Sequence, residues 1–191
     1  VGAALHRWRG VFLALLVASC VSVDRRDVRD PDIVRALQAA IADLSSDVLP
    51  EEAARAAHIA HDWPLELARR YRVTDPPLIH NTKVNLGLRE RGLCWHWAED
   101  MQRRLQAEQF RSLEIRRAIA LPSGIGIDHS TAVIVARGRP IEEGIVIDPW
   151  RWGGRLFWAP VAKDVRYRWQ PQEKVLAQRR VRLQAGFALS N

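Results

Sequence analysis

Gly92-Leu93-Cys94-Trp95-His96-Trp97-Ala98-Glu99-Asp100-Met101 sets a cysteine two residues after a glycine and at the start of a segment with helical character, Trp95 to about Gln106. Trp97 or Ala98, Met101, Leu105 and Phe110 give that segment an apolar stripe, and Glu99, Asp100, Arg103 and Arg104 a polar face, so it reads as a core helix. A thiol in this position has a chemical use. The unpaired N–H groups and positive dipole end of a helix N-terminus favour a thiolate and so activate a nucleophile. Alone, Cys94 reads better as a small buried apolar residue. Its meaning turns on what the chain brings to it.

Downstream, Leu113 to Leu121 has the length and makeup of a strand, closed by Pro122-Ser123-Gly124. Gly126-Ile127-Asp128-His129 leads into a second strand, Ser130 to Ala136, which is apolar on both faces and therefore central in a sheet. Gly138-Arg139-Pro140 supplies a turn, and Gly144 to Ile147 the next strand, with Asp148 at its end before Pro149. Two adjacent strands joined by a short turn pair antiparallel, which brings His129 at the start of one beside Asp148 at the end of the other. A carboxylate beside an imidazole fixes its tautomer and stabilises the imidazolium, and the imidazole activates a thiol. Cys94, His129 and Asp148 are thus the candidate catalytic residues. His96 is an alternative base, but it lies two residues along the same helix as Cys94, and such neighbours do not share a face.

Upstream, Pro31 opens a helix with Asp30 as its cap and Ile33, Val34, Leu37, Ile41 and Leu44 at helical spacing, ended by Ser45-Ser46-Asp47. A second helix runs from Pro50 to about Ala60, and Pro64 opens another carrying Leu65, Leu67, Ala68 and Tyr71. His58 and His61, three apart, have a spacing that can bind a metal, but no supporting ligands accompany them and they read as a polar helix face. Asp75-Pro76-Pro77 breaks the helical run. Between Leu78 and Arg91, the polar residues Asn81, Lys83, Asn85 and Arg89 stand upstream of the cysteine, and Asn85 is the candidate oxyanion donor. Trp95, Trp150 and Trp152 are the candidates for a substrate cleft, since such clefts are lined by aromatics. The tail from Pro171 reads as a basic surface helix, Lys174 to about Leu183.

The chain has 191 residues, of which 48% are hydrophobic, enough for one domain with a sizeable core. Its first residues have a different character. Arg7 and Arg9 form a basic start, Val11 to Val17 an apolar run too short to span a bilayer, and Ala18-Ser19 a small-residue end, as in an export signal. Val17-Ala18-Ser19-Cys20 resembles the bacterial lipobox, in which the cysteine is lipidated; the competing reading is an ordinary cleaved signal or a short buried helix. This divides the chain into a signal peptide at residues 1–19, a charged linker at 20–30 and a domain at 31–191. The net charge of +7 fits an envelope protein or a solvated arginine-rich surface, and no Lys/Arg run interleaved with aromatics points to nucleic acid. If Cys20 carries lipid, Cys94 has no disulfide partner, and a lone thiol in an oxidising compartment is a candidate for chemistry.

Gly92 to Ala98, Asp128-His129-Ser130-Thr131-Ala132-Val133 and Val146-Ile147-Asp148-Pro149-Trp150 resemble the three catalytic motifs of the transglutaminase-like branch of the papain-like superfamily. The order Cys, His, Asp and the separations are similar to those of bacterial transglutaminase-like cysteine peptidases. The resemblance implies an α+β fold in which N-terminal helices and the nucleophile helix pack on an antiparallel sheet. It departs from the family where relatives carry acidic residues after the cysteine and this chain has Trp95 and His96. Some relatives bind calcium, but no Asp/Glu cluster here supplies its oxygen ligands, so neither metal nor other cofactor is expected. The expected function is a cell-envelope thiol hydrolase cleaving an amide or peptide bond in a protein, peptide or peptidoglycan-like substrate, as a membrane-anchored lipoprotein facing the periplasm or exterior. Acyl transfer uses the same chemistry. The competing class is a non-catalytic envelope lipoprotein that uses a papain-like fold as a binding or scaffold module.

Overall fold

The computed structural model describes residues 31–121 and 128–189, with side chains as far as residue 185. The export signal, Cys20 and its lipidation, the linker and the Pro122-Ser123-Gly124 turn lie outside the described residues.

Four helices come first: α1 (Pro31–Ala42), α2 (Pro50–Arg70), α3 (Pro77–Asn85) and α4 (Cys94–Gln106). The strands β1 (Leu113–Ala120), β2 (His129–Ala136), β3 (Ile145–Trp152), β4 (Arg155–Pro160) and β5 (Trp169–Pro171) follow, and α5 (Gln172–Leu189) comes last. The strands make one antiparallel sheet in the order β4-β3-β2-β1-β5. The chain is therefore α+β, with its N-terminal helices packed on a five-stranded antiparallel sheet and a helix at its C-terminal end.

The helical stripe of α1 buries Val34, Leu37 and Ile41 against α2, as its spacing predicts. Trp97, Met101 and Leu105 of α4 pack on one sheet face with Ile115, Ala132, Ile134, Ile145 and Ile147. Each large side chain buried there contributes about 1.5–3 kcal/mol. A smaller cluster, Ala118, Val133, Val135, Ile141, Val146 and Trp169, lies on the opposite face. All residues of β2 are buried, which confirms it as the central strand.

Three sequence expectations are corrected here. Pro64 does not open a new helix but lies buried inside α2, which is continuous from Pro50 to Arg70. A proline inside a helix removes one hydrogen bond and costs about 3 kcal/mol; burial of Ala57 and Ala60 on one side of it and Leu67 and Ala68 on the other offsets that cost. Asp148 does not end its strand, because β3 continues through Pro149 to Trp152 with an irregular register against β4. The proline is accommodated at that irregularity. His58 and His61 do not act as a pair: His58 is exposed, whereas His61 is buried and bonds Asp62 at 2.9 Å.

One buried carboxylate ties the helical layer to the sheet. Glu52, in the first turn of α2, accepts the backbone N–H groups of Arg111 (2.7 Å) and Ser112 (2.8 Å) and the Ser112 hydroxyl (2.6 Å). Burial pushes its pKa up, but these bonds outweigh burial and hold it below the ordinary carboxylate value. A depressed folded pKa contributes stability above the unfolded value that is lost as pH falls through the folded one. Glu52→Gln is expected to lower the unfolding free energy by about 2 kcal/mol at neutral pH, read from urea denaturation, because charge-assisted bonds are lost. An unchanged urea midpoint would show that an amide serves there equally well.

Candidate active site

Cys94 is the first residue of α4 and is partly exposed. The loop entering it is held in three ways. His96 Nδ1 accepts the backbone N–H groups of Gly92 (3.1 Å) and Leu93 (3.2 Å), and Trp97 Nε1 donates to the Gly92 carbonyl (2.9 Å). Gly92 has φ +131°, and a Cβ there would stand 2.2 Å from His80 Nε2, so only glycine lets the buried His80 ring lie against the loop. His80 Nε2 in turn donates to the Arg91 carbonyl at 2.9 Å. These contacts fix the sulfur at the helix N-terminus, where the first N–H groups have no intrahelical acceptor.

His96 is thereby accounted for. Burial, and then the Arg91 guanidinium, lower its pKa, and the neutral ring spends Nδ1 on satisfying the loop. It is a cap of the helix, not a base for the thiol.

His129 and Asp148 meet inside the sheet. The register pairs Ala132 with Ile147, and one further step sets Thr131 across from Asp148 with His129 two residues along on the same face. His129 Nε2 lies 2.6 Å from Asp148 Oδ2, with both side chains almost wholly buried. The Cys94 thiol is a second hydrogen-bonding partner of the ring, and Cys94 Sγ stands 3.8 Å from the Asp128 carbonyl just before His129. Burial pulls the imidazole pKa down, but the bonds to Asp148 and then Cys94 outweigh burial and push it up to about 9. The protonated ring therefore contributes stability that is complete below the ordinary value of 6.5 and is lost as pH rises through about 9. The structure thus brings together the three residues singled out in the sequence.

Asp148 has a second partner that the sequence reading missed. Arg151 Nε donates to the same Oδ2 at 2.7 Å. The other end of that guanidinium grips Asp164, with Nη1 to Oδ1 at 3.1 Å and Nη2 to Oδ2, and Trp169 Nε1 donates to Asp164 Oδ2 at 2.8 Å. Arg151 also lies over the Phe157 ring at 3.8 Å and the Tyr167 ring at 4.7 Å. Burial lowers its pKa, but the two carboxylates outweigh burial and raise it. Asp164 is held below the ordinary carboxylate value, because Arg151 and Trp169 outweigh its burial. His129, Asp148, Arg151 and Asp164 form one buried chain of alternating charge.

The aromatic candidates separate. The Trp150 ring is 4.7 Å from the His129 ring, joined there by Tyr167 at 4.5 Å and Trp169 at 5.4 Å. Trp95 is exposed beside Cys94 with its ring against His96 at 3.7 Å. Trp152 is exposed at the far end of β3 and packs edge-on against Phe157, so it is not among the rings around His129. Asn85 is exposed at the last turn of α3, with no bond to this cluster. One turn earlier on that helix, Asn81 Oδ1 accepts Trp150 Nε1 at 3.1 Å, so Asn81 is the α3 amide tied to the rings around His129. Arg117 also approaches, its Nη2 bonding the Ser130 hydroxyl at 2.9 Å and the Trp95 carbonyl at 3.4 Å. Among the described residues no three His, Cys, Asp or Glu side chains converge as a metal-binding set, and no helix is long and apolar enough to cross a membrane.

No family model, curated protein or solved structure matches the chain.

Proposed function

We propose that this protein is a thiol hydrolase of transglutaminase-like, papain-like architecture that cleaves an amide or peptide bond. One observation carries the reading: a buried His129, bonded to the Asp148 carboxylate and held protonated to about pH 9, with the Cys94 thiol as its other partner. An imidazolium beside a sulfur favours the thiolate, which is the nucleophilic form. Cys94 Sγ attacks the carbonyl carbon, and the backbone N–H groups at the start of α4 face the developing oxyanion. Because Nε2 is engaged with Asp148, Nδ1 carries the proton to the departing amine, leaving a thioester on Cys94. Water then attacks the thioester, His129 takes its proton, and the acid leaves with Cys94 restored. An amine in place of water gives acyl transfer by the same steps. The sequence-derived export signal and Cys20 anchor put this chemistry in the cell envelope, on a peptide or peptidoglycan-like substrate.

The test needs no substrate. Followed at Cys94 by peptide mass mapping, iodoacetamide is expected to modify the folded protein at pH 6 at least tenfold faster than the unfolded chain, in which a thiol of pKa about 8.5 is almost wholly protonated. His129→Ala is expected to abolish that advantage. A rate profile that matches the unfolded chain, or one indifferent to His129→Ala, would leave Cys94 as packing and favour the binding-module alternative.

A further inference from the structure

Among the described residues, Arg117 is a cation without an oppositely charged side chain bonded to it. It stands on β1, two residues after Ile115, and its side chain runs toward the N-terminus of α4. Its Nη2 bonds two neutral oxygens, the Ser130 hydroxyl beside His129 and the Trp95 carbonyl beside Cys94. Its Nε is buried with no acceptor. Among the described residues no carboxylate forms an ion pair with it, and the Glu99 carboxylate whose charge it feels is already engaged by Arg91 at 3.0 Å and Arg103 at 3.4 Å. Burial lowers its pKa, partly offset by the charges of Glu99 and then Cys94. By contrast, Arg151 holds two carboxylates, and Arg91 holds Glu99 and Asp100.

A half-buried guanidinium without a counter-ion is costly unless something supplies the charge. Arg117 also lines a cavity of about 440 Å³ together with Gln102, Gln172, Glu173 and Leu176. It therefore joins a space large enough for part of a peptide to the residues flanking the nucleophile and the base.

We infer that Arg117 is a specificity-determining residue that binds a carboxylate of the substrate next to the bond Cys94 attacks. The planar fork of an arginine matches a carboxylate with two parallel N–H donors, and the guanidinium is already oriented by the two bonds that its Nη2 makes to Ser130 and Trp95. The enzyme would then prefer acidic peptides or peptides with a free terminus close to the scissile amide. This inference rests on the thiol-hydrolase reading of the site and names its substrate class.

Iodoacetate and iodoacetamide, which differ in a carboxylate against an amide on the same reactive carbon, test it directly. In both, the Cys94 sulfur displaces iodide and forms a C–S bond. The ratio of the iodoacetate rate to the iodoacetamide rate carries the reading, because a change in thiolate fraction moves both rates alike. Arg117→Met is expected to lower that ratio about tenfold, the effect of removing one nearby charge at an intermediate effective dielectric. Arg117→Gln, which keeps a donor for Ser130, supplies the same comparison should the methionine variant not fold. A ratio unchanged in both variants overturns the inference, as does a parallel fall of both rates, which would assign Arg117 to the thiolate alone. Failure of the underlying site is seen separately, as wild-type iodoacetamide alkylation no faster than in the unfolded chain. Two competitors identify the source of the carboxylate: acetyl-alanyl-alanine slowing alkylation points to a chain terminus, and acetyl-glutamyl-alaninamide to an acidic side chain. Slowing by neither also overturns it.

Discussion

Asp148→Asn is expected to leave the fold in place and to lower turnover of a surrogate ester such as p-nitrophenyl acetate by about 10³-fold, within the range assigned to general acid–base catalysis. The reason lies in the shared oxygen. His129 Nε2 and Arg151 Nε both bond Asp148 Oδ2, and Arg151 can only donate. An asparagine there turns its carbonyl oxygen toward both groups, since its NH₂ would meet the Arg151 donor. The histidine keeps its tautomer and orientation and loses only the negative charge. In triads where the amide is free to turn, the tautomer is lost as well and the fall is larger, about 10⁴-fold. The charge change has its own readout. With Asp148 neutral, its charge no longer offsets burial and only Cys94 still does, so the His129 pKa falls well below about 9. Titration of the ring by NMR measures that shift independently of any substrate. Wild-type turnover, or an imidazole that still titrates near 9, would remove Asp148 from the mechanism.

The parts of the fold legible in the sequence were those whose signal is local. α1 and α4 carry unbroken apolar stripes, and β1 and β2 are apolar runs bounded by turn residues, so their limits fall within a residue or two of expectation. α3 has no such stripe: Leu78 and Ile79 are exposed and only His80 is buried, so its residues read as a connector. Pro64 misled in the other direction. A proline after Asp62-Trp63 has the form of a helix start, and only tertiary packing on both sides of it keeps α2 continuous.

The same division runs through the site. Cys94, His129 and Asp148 were legible because a helix start and one hairpin bring them together, and both devices act over short stretches of chain. Arg151 is three residues from Asp148, yet its role depends on Asp164, which reaches it from the turn after β4. Arg117 looks like any strand arginine until three dimensions show that, among the described residues, no carboxylate forms an ion pair with it. Asn81 and Asn85 are one turn apart on α3, and only the position of Trp150 separates them. Charge pairing across the sheet leaves no periodic trace, so these residues could not be ranked from the sequence.

Arg151→Met is expected to cost about 3–5 kcal/mol of stability, the loss found when one partner of a buried ion pair is removed. Methionine approximates the length of the side chain, so the cost is electrostatic more than steric. Arg151, Asp148 and Asp164 have side chains only 5%, 1% and 2% exposed, and water cannot replace the guanidinium without opening the packing of Phe157 and Tyr167 around it. Such a loss is a large part of the 5–15 kcal/mol typical of a whole domain. Urea denaturation at two pH values separates charge from packing. In the native protein Asp164 has a depressed pKa, so it contributes stability above its unfolded value that is lost as pH falls through the folded one. Without Arg151 that contribution is gone at neutral pH, and protonation of the stranded carboxylate relieves it, so the gap between variant and wild type narrows as pH is lowered from 7 toward 4. A deficit below about 1 kcal/mol, the scale of an exposed ion pair, or a gap that does not change with pH, would mean that the chain of alternating charge does not hold this end of the sheet together. Arg151→Lys keeps the charge but cannot reach both carboxylates with a planar fork, and its stability is expected to fall between the two.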